Sequence, residues 1–141
     1  MTRFVARRLF APALVIALAI LVKGYVGPGD GFAAGIVAAL AFVLQFVAFG
    51  ERQVRRDLHT KYAPAVAVAG LLLALATTMV PVLRGMPLLT HEPSPNAPYI
   101  HLGSLELLTA FLFDVGVFLL VVGFTVTSFT LVARAQERDP R

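Results

Sequence analysis

Four stretches of this chain are so long and so apolar that water is an improbable solvent for them. They run from about Leu9 to Val26, Gly31 to Phe49, Ala63 to Leu83 and Leu105 to Val132. The first contains one charge, Lys23, and the second and third contain none. The fourth has Glu106 at its edge and Asp114 inside it. A helix that crosses a hydrocarbon layer needs roughly 20 mostly apolar residues, and all four stretches are of that order. None alternates at period 2, which argues against a β-barrel. Composition agrees: of 141 residues, 58% are hydrophobic and only 14% charged, with a mean hydropathy of +0.82. A soluble domain carries about a quarter charged residues, so a disordered tail is excluded and an ordinary globule disfavoured. The expected fold is all-α, a bundle of four transmembrane helices forming a single membrane domain over residues 1–141.

Arg3, Arg7 and Arg8 precede the first apolar run, as in a signal peptide. Small residues at a cleavage spacing should then follow. The chain instead reads Lys23-Gly24-Tyr25-Val26-Gly27-Pro28, so a retained helix is expected. The connections differ in character. Gly24–Gly31 is a tight turn with Pro28 and Gly29 as breakers. Gly50–Tyr62 is a charged loop, and Arg84–Gly103 is an irregular loop holding Pro87, Pro93, Pro95 and Pro98.

Charge placement sets the expected topology. The N-terminus, the Gly50–Tyr62 loop and the tail hold ten of the 12 Lys and Arg residues, leaving Lys23 and Arg84 for the opposite side. That bias places both termini in the cytoplasm. It also accounts for the net charge of +4 without nucleic acid. With no cysteine, disulfides and thiolate chemistry are excluded.

Asp114 is the sharpest chemical feature. Counted from the start of the fourth apolar stretch it lies about 13 Å below the outer face. A carboxylate at such depth costs several kcal/mol unless it is paired, solvated or protonated. It is either a proton or cation relay or a structural partner held against a cation or a helix terminus. Glu106 lies about 12 Å away along the same helix. It either lines the same inlet or is an interfacial acid at a helix start, where the macrodipole favours it. Lys23 is expected to snorkel to the headgroups, and Asp30 to cap the second helix. With His91 and His101 these groups fall on one side, as a polar vestibule would. Gly31 and Gly35, and Gly116 and Gly123, form small stripes for close helix packing. Gln45 is expected to bond between helices. His59, His91 and His101 have no metal-ligand spacing, and no phosphate-binding loop, dinucleotide fingerprint or nucleophile elbow is present. Neither an enzyme nor a metal site is expected.

Two segments carry a family resemblance. Arg7-Arg8-Leu9-Phe10-Ala11-Pro12 and the run Lys23 to Gly35, with its Pro28-Gly29-Asp30-Gly31-Phe32 turn, resemble the start of MnhB/MrpB subunits of Mrp-type multisubunit Na⁺/H⁺ antiporters. Phe113-Asp114-Val115-Gly116-Val117-Phe118 resembles that family's Phe-Asp-x-Gly-Val-aromatic segment. Lys23 and Tyr25 stand where the family has histidines, Asp30 where it has glycine, and Ala33-Ala34 where it has Gln-Gly. Roles of those family residues therefore do not transfer, whereas Asp114 and the Pro28–Phe32 turn do.

The resemblance implies an accessory subunit of a prokaryotic plasma-membrane antiporter, with other antiporter subunits and membrane lipid as partners. Na⁺ and H⁺ are its substrates, and no cofactor is implied. Asp114, Glu106, Asp30 and Lys23 become candidates for an outward ion route; Pro28, Gly29, Gly31, Phe32, Gly35, Gly116 and Gly123 become turn or packing residues. The alternatives are a stand-alone small transporter or regulator, and a purely structural assembly subunit.

Overall fold

The computed structural model describes residues 1–24, 29–83 and 103–138, with backbone alone at 80–82, 103–107 and 137–138. Among them the chain forms helices α1 (Thr2–Lys23), α2 (Asp30–Phe49), α3 (Glu51–Asp57), α4 (Ala63–Leu83) and α5 (Gly103–Arg138), with a 3₁₀ turn at Thr60–Tyr62 before α4. No strand occurs among the described residues. Four helices are long and apolar enough to cross a membrane. Bounds differ from the apolar stretches for simple reasons. α1 starts at Thr2 because its arginine-rich turns are good helix formers even where they are not apolar. α5 runs on to Arg138 through a polar end for the same reason. Pro28 lies outside the described residues, as do Arg84, His91 and His101.

The glycines at the ends of α2 have a backbone reason. Gly29 precedes α2 at φ 112 and Gly50 follows it at φ 84, left-handed conformations that side-chain-bearing residues rarely adopt. Gly50 turns the chain straight into α3, a helix inside what the sequence presents as a charged loop. Its Val54 is 2% exposed and joins Phe46, Ala63 and Val126 in a small core, flanked by Phe42, Phe49, Leu58 and Val122. Glu51 in the first turn and Arg55 and Arg56 in the last suit the helix dipole.

The four long helices pack side by side in the order α1–α2–α5–α4. α1 meets α2 through the edge-to-face rings of Phe10 and Phe42, 5.2 Å apart. Gln45 bonds between helices as its position suggested: its buried Nε2 donates to the Ala6 carbonyl at 2.6 Å. At the same end Arg3 Nε donates to the Ala48 carbonyl at 3.2 Å.

α5 meets close neighbours on both sides through glycine. Towards α2, a Cβ on Gly35 would stand 2.9 Å from Val121, and one on Gly31 would run into the backbone of Asp114. Phe46 stacks on Phe129 at 6.3 Å. Towards α4 the roles reverse, and α5 supplies glycines. A Cβ on Gly116 would lie 2.8 Å from the Ala74 nitrogen, and one on Gly123 would lie 2.5 Å from the Ala67 nitrogen. Gly70 of α4 returns the contact, since a Cβ added to it would lie 2.5 Å from the Leu120 nitrogen. Helices in lipid have little hydrophobic reason to associate, so such backbone approach is what holds them.

These pairings fix register. α5 runs parallel to α2 and antiparallel to α4, with Asp114 level with the start of α2. Arg134 Nε meets Glu51 Oε1 at 3.2 Å just past the end of α2. The 20 residues of α2 span about 30 Å.

Replacing Gly70 with Leu forces a side chain into the backbone of α5, at a cost of about 1–3 kcal/mol or more. The thermal midpoint of Gly70→Leu in detergent should fall clearly, whereas that of Leu72→Ala, on an exposed face, should hardly move.

Candidate functional site

Asp114 is 3% exposed, the most buried charged side chain among the described residues. Its position follows from register. Gly31, without a side chain, lets the first turn of α2 rest on the α5 backbone at Asp114 itself. The carboxylate is thereby carried to the start of α2, where the N–H of Gly29 donates to Oδ2 at 3.3 Å. No side chain from the N-cap position itself bonds the helix end. The carboxylate from α5 takes that part from another helix, at the end where the α2 dipole presents partial positive charge.

Gly24, which ends α1, completes the enclosure. A Cβ there would stand 3.0 Å from Asp114 Oδ2 and 3.1 Å from the Asp30 Cβ. Three segments thus converge on one carboxylate: the end of α1, the start of α2 and the first third of α5.

The other expected site residues divide. Asp30 is at this end, beside Asp114 across Gly24, but it is the first residue of α2 and not its cap. A side chain at that first position begins too far along the helix to reach back over the free amides, and Asp114 occupies the place instead. Lys23 ends α1 exposed, with no ion pair to a carboxylate among the described residues. Glu106 lies in α5 eight residues before Asp114, with its side chain outside the described residues. Phe32 points outward, 57% exposed. Gly29 and Gly31 touch Asp114, Gly35 packs against Phe118 and Val121, and Gly116 and Gly123 face α4. Among the described residues no group of three or more potential metal ligands gathers.

Counting from the start of the apolar stretch puts Asp114 about 13 Å along its helix. In the structure α5 begins eleven residues, about 16 Å, before Asp114. The same residue is level with the start of α2, so α5 extends past α2 at this end. Gly24, in sequence only the start of the turn, and Gly70 gain their packing roles from the structure. Gly70 sits in a run of small residues with Ala63, Ala67 and Ala74 at spacings of four and three, a signal that was there to be read.

Over residues 1–127 the chain matches the family model described as a domain related to the MnhB subunit of Na⁺/H⁺ antiporter. It belongs to the MnhB family. Similar proteins include the B-type Na⁺/H⁺ antiporter subunit of Bacillus subtilis, 39% identical over 81% of this chain and 78% of that one. Another is the B-type Na⁺/H⁺ antiporter subunit of Alkalihalophilus pseudofirmus, 32% identical over 85% and 82%. A third is a K⁺/H⁺ antiporter protein of combined A/B type from Rhizobium meliloti, named as a probable one. It is 36% identical over 97% of this chain but only 14% of that much longer protein. Membership and the four spanning-type helices make this MnhB-family chain a multi-pass protein of the plasma membrane, in a family of transport subunits rather than enzymes.

Asp114→Ala removes the acceptor for Gly29 and should cost about 1.5–3 kcal/mol, the range for hydrogen bonds to charged groups. Asp114→Asn keeps an acceptor oxygen and should lose less than half as much. Thermal midpoints of the two variants in one detergent check the order.

Proposed function

We propose that the chain is a small accessory subunit of a multisubunit cation/proton antiporter, packing against larger subunits with both termini in the cytoplasm. Family membership and the incompleteness of the helix row support this reading. Only 17% to 39% of each spanning window is buried within the chain. Phe32, Leu40 and Val47 of α2, and Phe124, Leu131 and Val132 of α5, remain exposed although these are the two central helices of the row. Such faces are covered by lipid or by other subunits. Ten cationic residues on the termini and the α2–α4 connection support the topology. Na⁺ or K⁺, exchanged for H⁺, are the substrates that the relatives' names suggest, and no cofactor is needed for such exchange.

Within that subunit, Asp114 and Asp30 stand side by side where α1, α2 and α5 meet, an arrangement that could attract cations to an outward route. The Gly29 N–H···Asp114 bond favours a second reading, in which the carboxylate tethers α2 and the ions pass elsewhere.

One experiment separates these. Asp114→Asn, expressed with the neighbouring subunits, keeps an acceptor for Gly29 but loses the charge. The ion-route reading expects intact co-purification with Na⁺-dependent proton flux in vesicles reduced at least tenfold, a barrier change of about 1.4 kcal/mol. Intact assembly with unchanged flux leaves the tether reading. A wild-type chain that purifies without larger membrane subunits, and whose deletion leaves antiport intact, would overturn the accessory-subunit proposal.

A further inference from the structure

A second polar feature lies at the opposite end of the molecule from Asp114. Between α1, α2 and α3 the structure leaves a cleft of about 140 Å³, lined by Arg7, Phe10, Gln45, Phe49, Gln53, Val54, Asp57 and Leu58. Its walls are mostly apolar, from Phe10, Phe49, Val54 and Leu58. Arg7 is held there by its guanidinium, 5.4 Å from the centre of the Phe49 ring. Asp57 ends α3, exposed. Both charges line the same cleft, yet no ion pair joins them. A cation and a carboxylate are thus presented, separated, from an apolar wall.

We propose that this cleft seats the headgroup of one zwitterionic phospholipid of the phosphoethanolamine type, with its phosphate on Arg7 and its ammonium on Asp57. Charge complementarity selects that occupant. A phosphatidylglycerol headgroup would answer Arg7 with its phosphate but offer Asp57 only a neutral glycerol, and a bare cation would answer Asp57 alone. A headgroup with both signs answers both. The Gln53 side chain on the rim adds neutral hydrogen-bonding groups, and Phe10 and Leu58 offer apolar surface to the glycerol end of the lipid. Arg3, Arg55, Arg56 and Lys61 are also exposed at this end and draw phosphate in general, so discrimination between headgroups rests on Asp57.

The test uses the full chain in mild detergent, with whatever subunits accompany it. It is offered equimolar dioleoyl phosphatidylethanolamine and dioleoyl phosphatidylglycerol, and bound lipid is counted by native mass spectrometry. The wild type should retain phosphatidylethanolamine in preference. Arg7→Gln should lower that retention about tenfold, the worth of one charge-assisted bond. Asp57→Asn should abolish the preference while phosphate binding persists, so that phosphatidylglycerol rises to match. Should Arg7→Gln fail to accumulate, Asp57→Asn, an exposed change, decides alone. Equal retention by the wild type, preference for phosphatidylglycerol, or an Asp57→Asn chain with unaltered preference would overturn the proposal. So would a Leu58→Cys chain that cross-links to another subunit with phosphatidylethanolamine supplied in excess.

Discussion

Lipid tails are as apolar as leucine, so two membrane helices gain little from burying hydrophobic surface against each other. What α5 gains from its neighbours is close backbone contact, and it obtains this on two sides by opposite means. On one side α2 contributes Gly31 and Gly35. On the other, α5 itself contributes Gly116 and Gly123, and Gly70 of α4 answers. The row α1–α2–α5–α4 follows, because α5 is the helix prepared for contact on two sides. Among the described residues the row does not close on itself. Its open faces are the physical reason to expect other subunits and lipid around it.

The same approach places Asp114. Because Gly31 lets α2 rest on the α5 backbone, the carboxylate arrives at the amide of Gly29 and the positive end of α2. A buried carboxylate is costly where nothing answers it, and here a helix terminus does. That tether ties α5 to the turn between α1 and α2. At the far end, Glu51 with Arg134 and Gln45 with the Ala6 carbonyl do comparable work. The register of α2 is thus fixed at both ends by polar contacts, with glycine and aromatic packing between them.

Much of this was legible in the residues. Apolar length identified the four spanning helices, and the four-residue spacing of Gly31 and Gly35 identified a packing face. Gln45 was readable as an interhelix donor because a lone amide in an apolar span needs a partner. The helix α3 was not, since seven residues rich in charge carry no periodic signal and Val54 is the one apolar residue that turns inward. That Asp114 stands level with the start of α2 was not legible, because an apolar stretch reports where one helix begins, not how that helix is shifted against its neighbours. Capping of α2 was assigned to Asp30 because sequence shows only local donors and acceptors. A cap arriving from a residue 85 positions away becomes visible only when α5 is laid against α2.

The central claim, that the Asp114 carboxylate holds the start of α2, is tested most directly by amide hydrogen exchange in the purified protein. Peptides covering residues 29–35 and 43–49 are compared between wild type and Asp114→Ala. If the tether acts as described, exchange near the start of α2 should quicken about tenfold, the worth of a bond of roughly 1.4 kcal/mol. Exchange at the far end, held by Gln45 and packed on Phe129, should stay as it was. Unchanged exchange at 29–35, or a uniform rise along all of α2, would contradict the claim.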